Sequence, residues 1–428
     1  MNKKRISKVD LDVYTETLDN GLKVYVVPMP KMHNIHVTFS TKFGATNNEF
    51  VPLGEHKMVR VPDGVAHFLE HKLFEQKDGI DPFTFFGQNG ADANANTSYF
   101  KTTYLFSGLK SFEANLNYLL DYVQEPYFTD ENVEKEKGII DQERSMYQDD
   151  PFWRMYEGSL MNISHEHPIK YPIVGTKESI YAITKEDLYK CYNTFYHPSN
   201  MFVVVTGAAN PELTINLIKE NQKKKEFAKP KKIEVKKYSE DKTVAVKKQE
   251  IEMDININKF ALSYKISLKD LNNYSMYEII NYILYYVDIK LGVTSSLVEK
   301  LKDEGLIYDN FELEATIIDD YLLISIFGET KDPNRVIENI KKEVDNRYII
   351  EKDFERKKKN SISSIIVSSD DIYHINNKIM SNIIKYGDII YDDYDLIKKL
   401  SFDKLQNIIS NISFNENTIF IINPKVKN

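Results

Sequence analysis

At 428 residues the chain exceeds what one ordinary hydrophobic core accommodates, which points to two domains. Hydrophobic residues at 42% and aromatics at 12% can fill such cores, and a net charge of −8 argues against nucleic acid as a partner, because such binders carry a basic footprint. No apolar run reaches the roughly 18 residues a membrane span needs, and the start Met1-Asn-Lys-Lys-Arg-Ile-Ser-Lys8 leads into polar sequence, so a cytoplasmic protein with no membrane segment is expected.

Residues 22–28 and 35–40 alternate or run apolar and are expected as strands joined through a turn. Next comes His67-Phe68-Leu69-Glu70-His71, an H-x-x-E-H pentad in a chain with only 9 histidines. On a helix, residues three and four apart share a face, so His67 and His71 aim ring nitrogens at one ion while Glu70 lies beside it. Neutral imidazole is a good zinc ligand. A catalytic zinc also needs a third protein ligand and an open position for water, whose pKa the metal lowers to about 7. Glu70 is then the proton acceptor.

The stretch Ala93-Asn94-Ala95-Asn96-Thr97 is expected as an edge strand able to take an extended peptide as an added strand. Residues 99–107 read as a strand and 112–123 as a helix. An acidic helix follows over 129–147, with Thr129 or Asp130 as its N-cap. Glu136 and Glu143 stand seven apart, two turns of one face, so this helix offers the third metal ligand; the pattern leaves open which glutamate it is. His165 and His167, two apart, are expected in a loop rather than at a second metal site. The lone Cys191 excludes an intrachain disulfide and reads as packing, and no P-loop supports nucleotide hydrolysis.

A helix over 211–222 precedes the Lys-rich, Pro-marked tracts 223–225 and 229–237, expected as a solvated linker. The division is therefore a metal-binding domain over 1–228, a linker over 229–249 and a second domain over 250–428. The second part repeats the first in order: a strand over 321–327, a helix over 333–344 and a helix from 350 onward. Laying Thr129 on Ile350 sets Glu134 on Glu355, but Glu136 meets Lys357 and Glu143 meets Ser364. The expected fold is α+β: two homologous domains, each a mainly antiparallel sheet packed with helices, the second without metal ligands.

At these residues the chain resembles the inverzincin peptidases, the family of pitrilysin, insulin-degrading enzyme and mitochondrial processing peptidase. HFLEH stands at the inverted zinc motif, and Glu136-Lys-Gly-Ile-Ile-Asp-Gln-Glu143 is similar to the family's downstream acidic segment. Residues 90–104 are similar to its N-A-x-T-S strand and 195–207 to the strand closing its first domain. The resemblance, close in the first half and looser in the second, implies one zinc per chain on His67, His71 and Glu143, with Glu70 as general base and Glu136 orienting the site. It also places Asn94 and Ala95 beside the scissile bond, with Asn96 and Thr97 on the same substrate strand. Many members supply an Arg and a Tyr that hold the substrate carbonyl. In the matching Glu299-Lys-Leu-Lys-Asp-Glu-Gly-Leu-Ile-Tyr308, Tyr308 is present, but Lys302 stands near the Arg position with spacing one residue shorter. Ammonium lacks the planar fork of guanidinium, so this clamp departs from the pattern.

The expected activity is zinc-dependent endoproteolysis of small or unstructured peptides, including processing of a dedicated precursor. The alternative is a non-catalytic peptide-binding or assembly subunit of a peptidase heterodimer. Family members pair two such halves with a companion pair, so a dimer with itself or a related two-domain chain is implied. Residues 49–55 and 61–64 resemble a bacterial branch whose members often accompany a motif-less homologue, which favours the heterodimer.

Overall fold

A computed structural model describes residues 1–230 and 232–425; Lys231, in the expected linker, and residues 426–428, at the end of the expected second domain, lie outside the described residues. The first sheet has seven strands in the spatial order Asn2–Arg5, Asp12–Thr17, Lys23–Pro28, Met201–Gly207, Ile35–Thr41, Thr102–Gly108, Ala91–Thr97. Only the pairing of Lys23–Pro28 with Met201–Gly207 is parallel. These central strands read as continuous apolar runs because both faces of the sheet are covered. Val24, Val26, Val203 and Val205 point into a core shared with the helices Val65–Leu73, Phe112–Gln124 and Pro211–Lys223. Tyr25, Val27, Phe202 and Val204 point to the other face, where Ile372, Ile375, Ile379 and Ile383 of the helix Ile372–Tyr386 meet them. Buried Asn376 joins that helix to the sheet, donating to the Val204 carbonyl at 3.1 Å and accepting from Thr38 Oγ1 at 2.8 Å.

The second sheet has five strands in the order Lys248–Met253, Asn417–Pro424, Asn258–Ser267, Tyr321–Thr330, Glu312–Ile318. Its topology repeats that of the first from Lys23–Pro28 onward. In each, the first strand pairs parallel with the last, which pairs antiparallel with the second, followed by the fourth and the third. The register that lays Thr129 on Ile350 also lays the helix start Asp130 on Glu351, at the heads of Asp130–Asp149 and Glu351–Ser368. One face of this sheet is covered by the helices Met276–Leu291, Pro333–Asp345 and Phe402–Ser410. Against the other face lies the helix Pro151–Ile163, with Met155 packed among Ala261, Phe327 and Phe420. Gly158 lets this helix approach closely: a Cβ there would come within 2.3 Å of the Phe420 ring.

The compact units are therefore not the continuous spans expected. One unit joins Met1–Arg144, Pro172–Lys236 and Ser364–Asp395; the other joins Ser145–Tyr171, Lys237–Ser363 and the chain from Leu396 onward. Each sheet has one face covered by a helix taken from the opposite half of the sequence, an exchange that local pattern does not announce.

The tract expected as a solvated linker is tied down at several points. Val51 N donates to the Glu234 carbonyl and Lys236 N to that of Glu49, both at 2.9 Å. Glu240 is buried, accepting the backbone N–H groups of His165, Glu166 and His167 at 2.7, 2.9 and 2.8 Å and the Lys265 ammonium at 2.7 Å. His165 and His167 thus sit in a loop anchored by a carboxylate, and His167 Nδ1 accepts from Ile169 N.

Candidate metal centre

The pentad lies on the helix Val65–Leu73, eight of whose nine residues are buried, so its polar side chains must find partners inside the protein. Gly64 starts the helix with φ 90°, and a Cβ there would meet the Val174 carbonyl oxygen at 2.5 Å. Both the left-handed backbone and the close approach require glycine. His67 and Glu70 are 7% and 8% exposed, so both sit inside the protein rather than on a solvated face.

The acidic helix Asp130–Asp149 runs beside this one and presents Glu136 and Glu143 to the two imidazoles. Glu143 Oε1 lies 3.6 Å from His67 Nε2, and its Oε2 lies 3.2 Å from His71 Nε2. Glu136 Oε1 takes the other nitrogen of His71, Nδ1, at 3.1 Å. The two glutamates, equivalent in the sequence pattern, thus occupy different places: Glu143 faces both Nε2 atoms, whereas Glu136 stands behind one ring.

Glu70 receives a hydrogen bond from Thr97 Oγ1 at 2.5 Å. The strand Ala91–Thr97 is the outermost of its sheet and alternates, with Asp92, Asn94 and Asn96 exposed and Ala93, Ala95 and Thr97 turned inward. Asn94 Oδ1 accepts from Ala95 N at 2.8 Å, and Asn96 Oδ1 accepts from the Lys101 ammonium at 3.4 Å. Thr97, grouped by sequence with the substrate strand, therefore has a partner in Glu70. Lys302 and Tyr308 belong to the other compact unit, where Lys302 donates to Asn310 Oδ1 at 3.0 Å and Tyr308 is 56% exposed.

The electrostatics follow from this packing. Burial works to lower the His71 ring, but its hydrogen bonds to Glu136 and Glu143 and their negative charge outweigh it and hold its pKa up at about 9. Burial likewise opposes ionisation of Glu143, yet the His67 and His71 rings hold it well below the usual carboxylate range. Glu136 is lowered despite its burial by His71 and by Lys72. Burial pushes Lys101 down to about 8, against the pull of the Glu70 charge.

Two imidazole nitrogens and one carboxylate oxygen, from His67, His71 and Glu143, lie within 4.8 Å of one another. This donor set suits zinc: two neutral nitrogen ligands and one oxygen leave a coordination position over for water. Among the described residues His67 Nδ1 is buried without a hydrogen-bond partner, and the ring meets Glu143 at Nε2, on the cluster side. The two carboxylates favour a positive charge at His71, and a divalent cation bound there would supply it while the ring stays neutral.

Sequence reasoning did not single out Lys72, whose side chain is 0% exposed and whose Nζ lies 3.6 Å from Glu136 Oε2. Its signal was available: a lysine inside Val-Ala-His-Phe-Leu-Glu-His-Lys-Leu, a helix with almost no solvated face.

A glutamate beside two histidines and a third carboxylate, next to the outermost strand of a sheet, is an arrangement with the donors a zinc site uses. Residues 51–177 match the insulinase (peptidase family M16) domain and residues 182–361 the peptidase M16 inactive domain. The uncharacterized zinc protease YmfH of Bacillus subtilis is 37% identical over 423 residues, 96% of this chain and 97% of that protein. The crystal structure of an M16-like peptidase from Alicyclobacillus acidocaldarius superposes with a TM-score of 0.91 at 30% identity, covering 98% of this chain and 99% of that one. Pitrilysin shares the fold at 16% identity and a TM-score of 0.73; the match takes in 99% of this chain but 46% of pitrilysin. The chain belongs to peptidase family M16, in its bacterial branch.

Proposed function

We propose that the protein is a zinc-dependent endopeptidase of small or unstructured peptides, with one zinc held by His67, His71 and Glu143. The observation that carries this reading is the convergence of those three side chains beside a buried, hydrogen-bonded Glu70 and an outermost strand. Zinc bound there would supply a Lewis acid that acidifies water and polarises a peptide carbonyl. Glu70 takes the proton of the attacking water and later delivers it to the leaving amine nitrogen. Because Thr97 fixes Oε2 of Glu70, Oε1 is the oxygen assigned to proton transfer. Glu136 holds His71 through Nδ1, so that Nε2 is the nitrogen offered to the metal. The strand Ala91–Thr97 receives the peptide by main-chain pairing, with Asn94, Ala95 and Asn96 along the substrate.

Tyr308 is assigned to the substrate carbonyl, with Lys302 in place of an arginine near the other clamp position, and a companion chain supplies what this one lacks. Support for a dimer with a related two-domain chain comes from pitrilysin, of which this fold accounts for only 46%. The single cysteine, Cys191, is buried and unbridged, which supports a cytoplasmic setting. Among the described residues no helix is long and apolar enough to cross a membrane. The test is metal content together with hydrolysis of an unstructured peptide, with and without a chelator. Stoichiometric zinc whose removal abolishes cleavage, and whose return restores it, supports the enzyme. Zinc-free chain that still binds peptide would favour the non-catalytic subunit.

A further inference from the structure

We infer that Lys72 is a positioning residue of the metal centre, acting on His71 through Glu136. The inference rests on the zinc reading proposed above.

Lysines with no exposed atom are rare unless paired, since removing an ammonium from water costs more than a single exposed partner returns. The Lys72 side chain is 0% exposed, while its neighbour Glu75, which it also contacts, is 42% exposed. Lys72 Nζ donates to Glu75 Oε2, a partner that stays half solvated. Its second partner, Glu136, is far less exposed. Glu136 divides its oxygens between two nitrogen groups: Oε1 lies 3.1 Å from His71 Nδ1, and Oε2 lies 3.6 Å from Lys72 Nζ.

The two glutamates face different nitrogens of the histidines. Glu136 and Glu143 share one face of one helix, and either carboxylate has the chemistry to bind metal. Lys72 Nζ lies on the Oε2 side of Glu136, whose Oε1 faces Nδ1 of His71 rather than Nε2. Glu143 faces the two Nε2 atoms. Lys72 thereby fixes the His71 tautomer at one remove: ammonium to carboxylate, carboxylate to Nδ1–H, leaving Nε2 as the metal-facing lone pair.

A double-mutant cycle on the full-length chain tests this, read as zinc affinity by competition with a chromophoric chelator and as thermal melting with and without zinc. E136Q is expected to weaken zinc about 10- to 100-fold and K72M about tenfold. In the E136Q background K72M is expected to add less than about a twofold change, because its route to the ring is already gone. E75Q is expected to keep wild-type affinity. If K72M does not fold, K72Q, which removes the charge and keeps a donor, takes its place in the cycle. Equal loss from K72M in both backgrounds, no loss in either, or a tenfold loss from E75Q would overturn the assignment. Those results are distinct from failure of the zinc reading itself, in which the wild-type chain would not bind zinc.

Discussion

In the first unit, Glu136 of the helix Asp130–Asp149 reaches the motif helix at His71; in the second, the residue in the same register, Lys357 of Glu351–Ser368, reaches Asp288 of Met276–Leu291 at 2.7 Å. The same helix-to-helix contact is kept with its charges reversed, and the position of Glu143 is taken by Ser364. Both sheets have the same strand order from the first shared strand onward, so the scaffold does not need the metal residues to form. What separates the copies is what meets between two helices: in one, two imidazoles and two carboxylates; in the other, a lysine paired with a half-exposed aspartate.

The comparison breaks most visibly at the ligands. H71A or E143Q is expected to abolish stoichiometric zinc and, with it, cleavage, while the chain keeps its fold; retention of zinc in both would dissolve the distinction between the copies. Metal analysis of the purified variants measures this.

A second contrast lies in buried charge outside the centre. Glu240 and Lys265 are fully buried together, so E240A strands an ammonium and is expected to cost about 3–5 kcal/mol, read as a lowered urea midpoint. Replacing both partners with apolar residues should recover much of that loss.

Each unit also holds a buried neutral histidine, His36 in one and His167 in the other, whose pKa is lowered to about 4 mainly by burial. Unfolded, the rings take up a proton near 6.5, so between those values the unfolded chain binds more protons. Stability is therefore expected to fall as pH drops from about 6.5 to about 4, on the order of 1–3 kcal/mol per ring. Denaturant midpoints measured across that range should show it, and H167Q should flatten the slope.

The smallest effect belongs to the charge-reversed contact. K357M removes a pair whose acid is 45% exposed and is expected to cost no more than about 1 kcal/mol, with zinc affinity unchanged. A loss of zinc there would mean that the second copy still supports the metal.

Much of this was legible in the sequence because it is periodic. The helix over His67 to His71, the seven-residue spacing of Glu136 and Glu143, and the strand and helix order of the second half all follow from spacing along one element. The exchange of the helices Pro151–Ile163 and Ile372–Tyr386 between sheets was not legible, because an apolar stripe states that a helix must be covered and not by which sheet. The buried Glu240 escaped notice for a related reason: it sits in a Lys-rich tract, and its partners, three backbone N–H groups and Lys265, come from elsewhere in the chain. The division of labour between the two glutamates needed the three-dimensional placement of the two histidine rings, since both acids lie on one face of one helix.

The most direct measurement is zinc content and peptide hydrolysis of E70Q beside the wild-type chain, under conditions where the wild type cleaves. Glu70 is held by Thr97 and is not one of the three metal-facing side chains, so the variant should keep its zinc and lose roughly a thousandfold in rate. Cleavage at the wild-type rate would contradict the account.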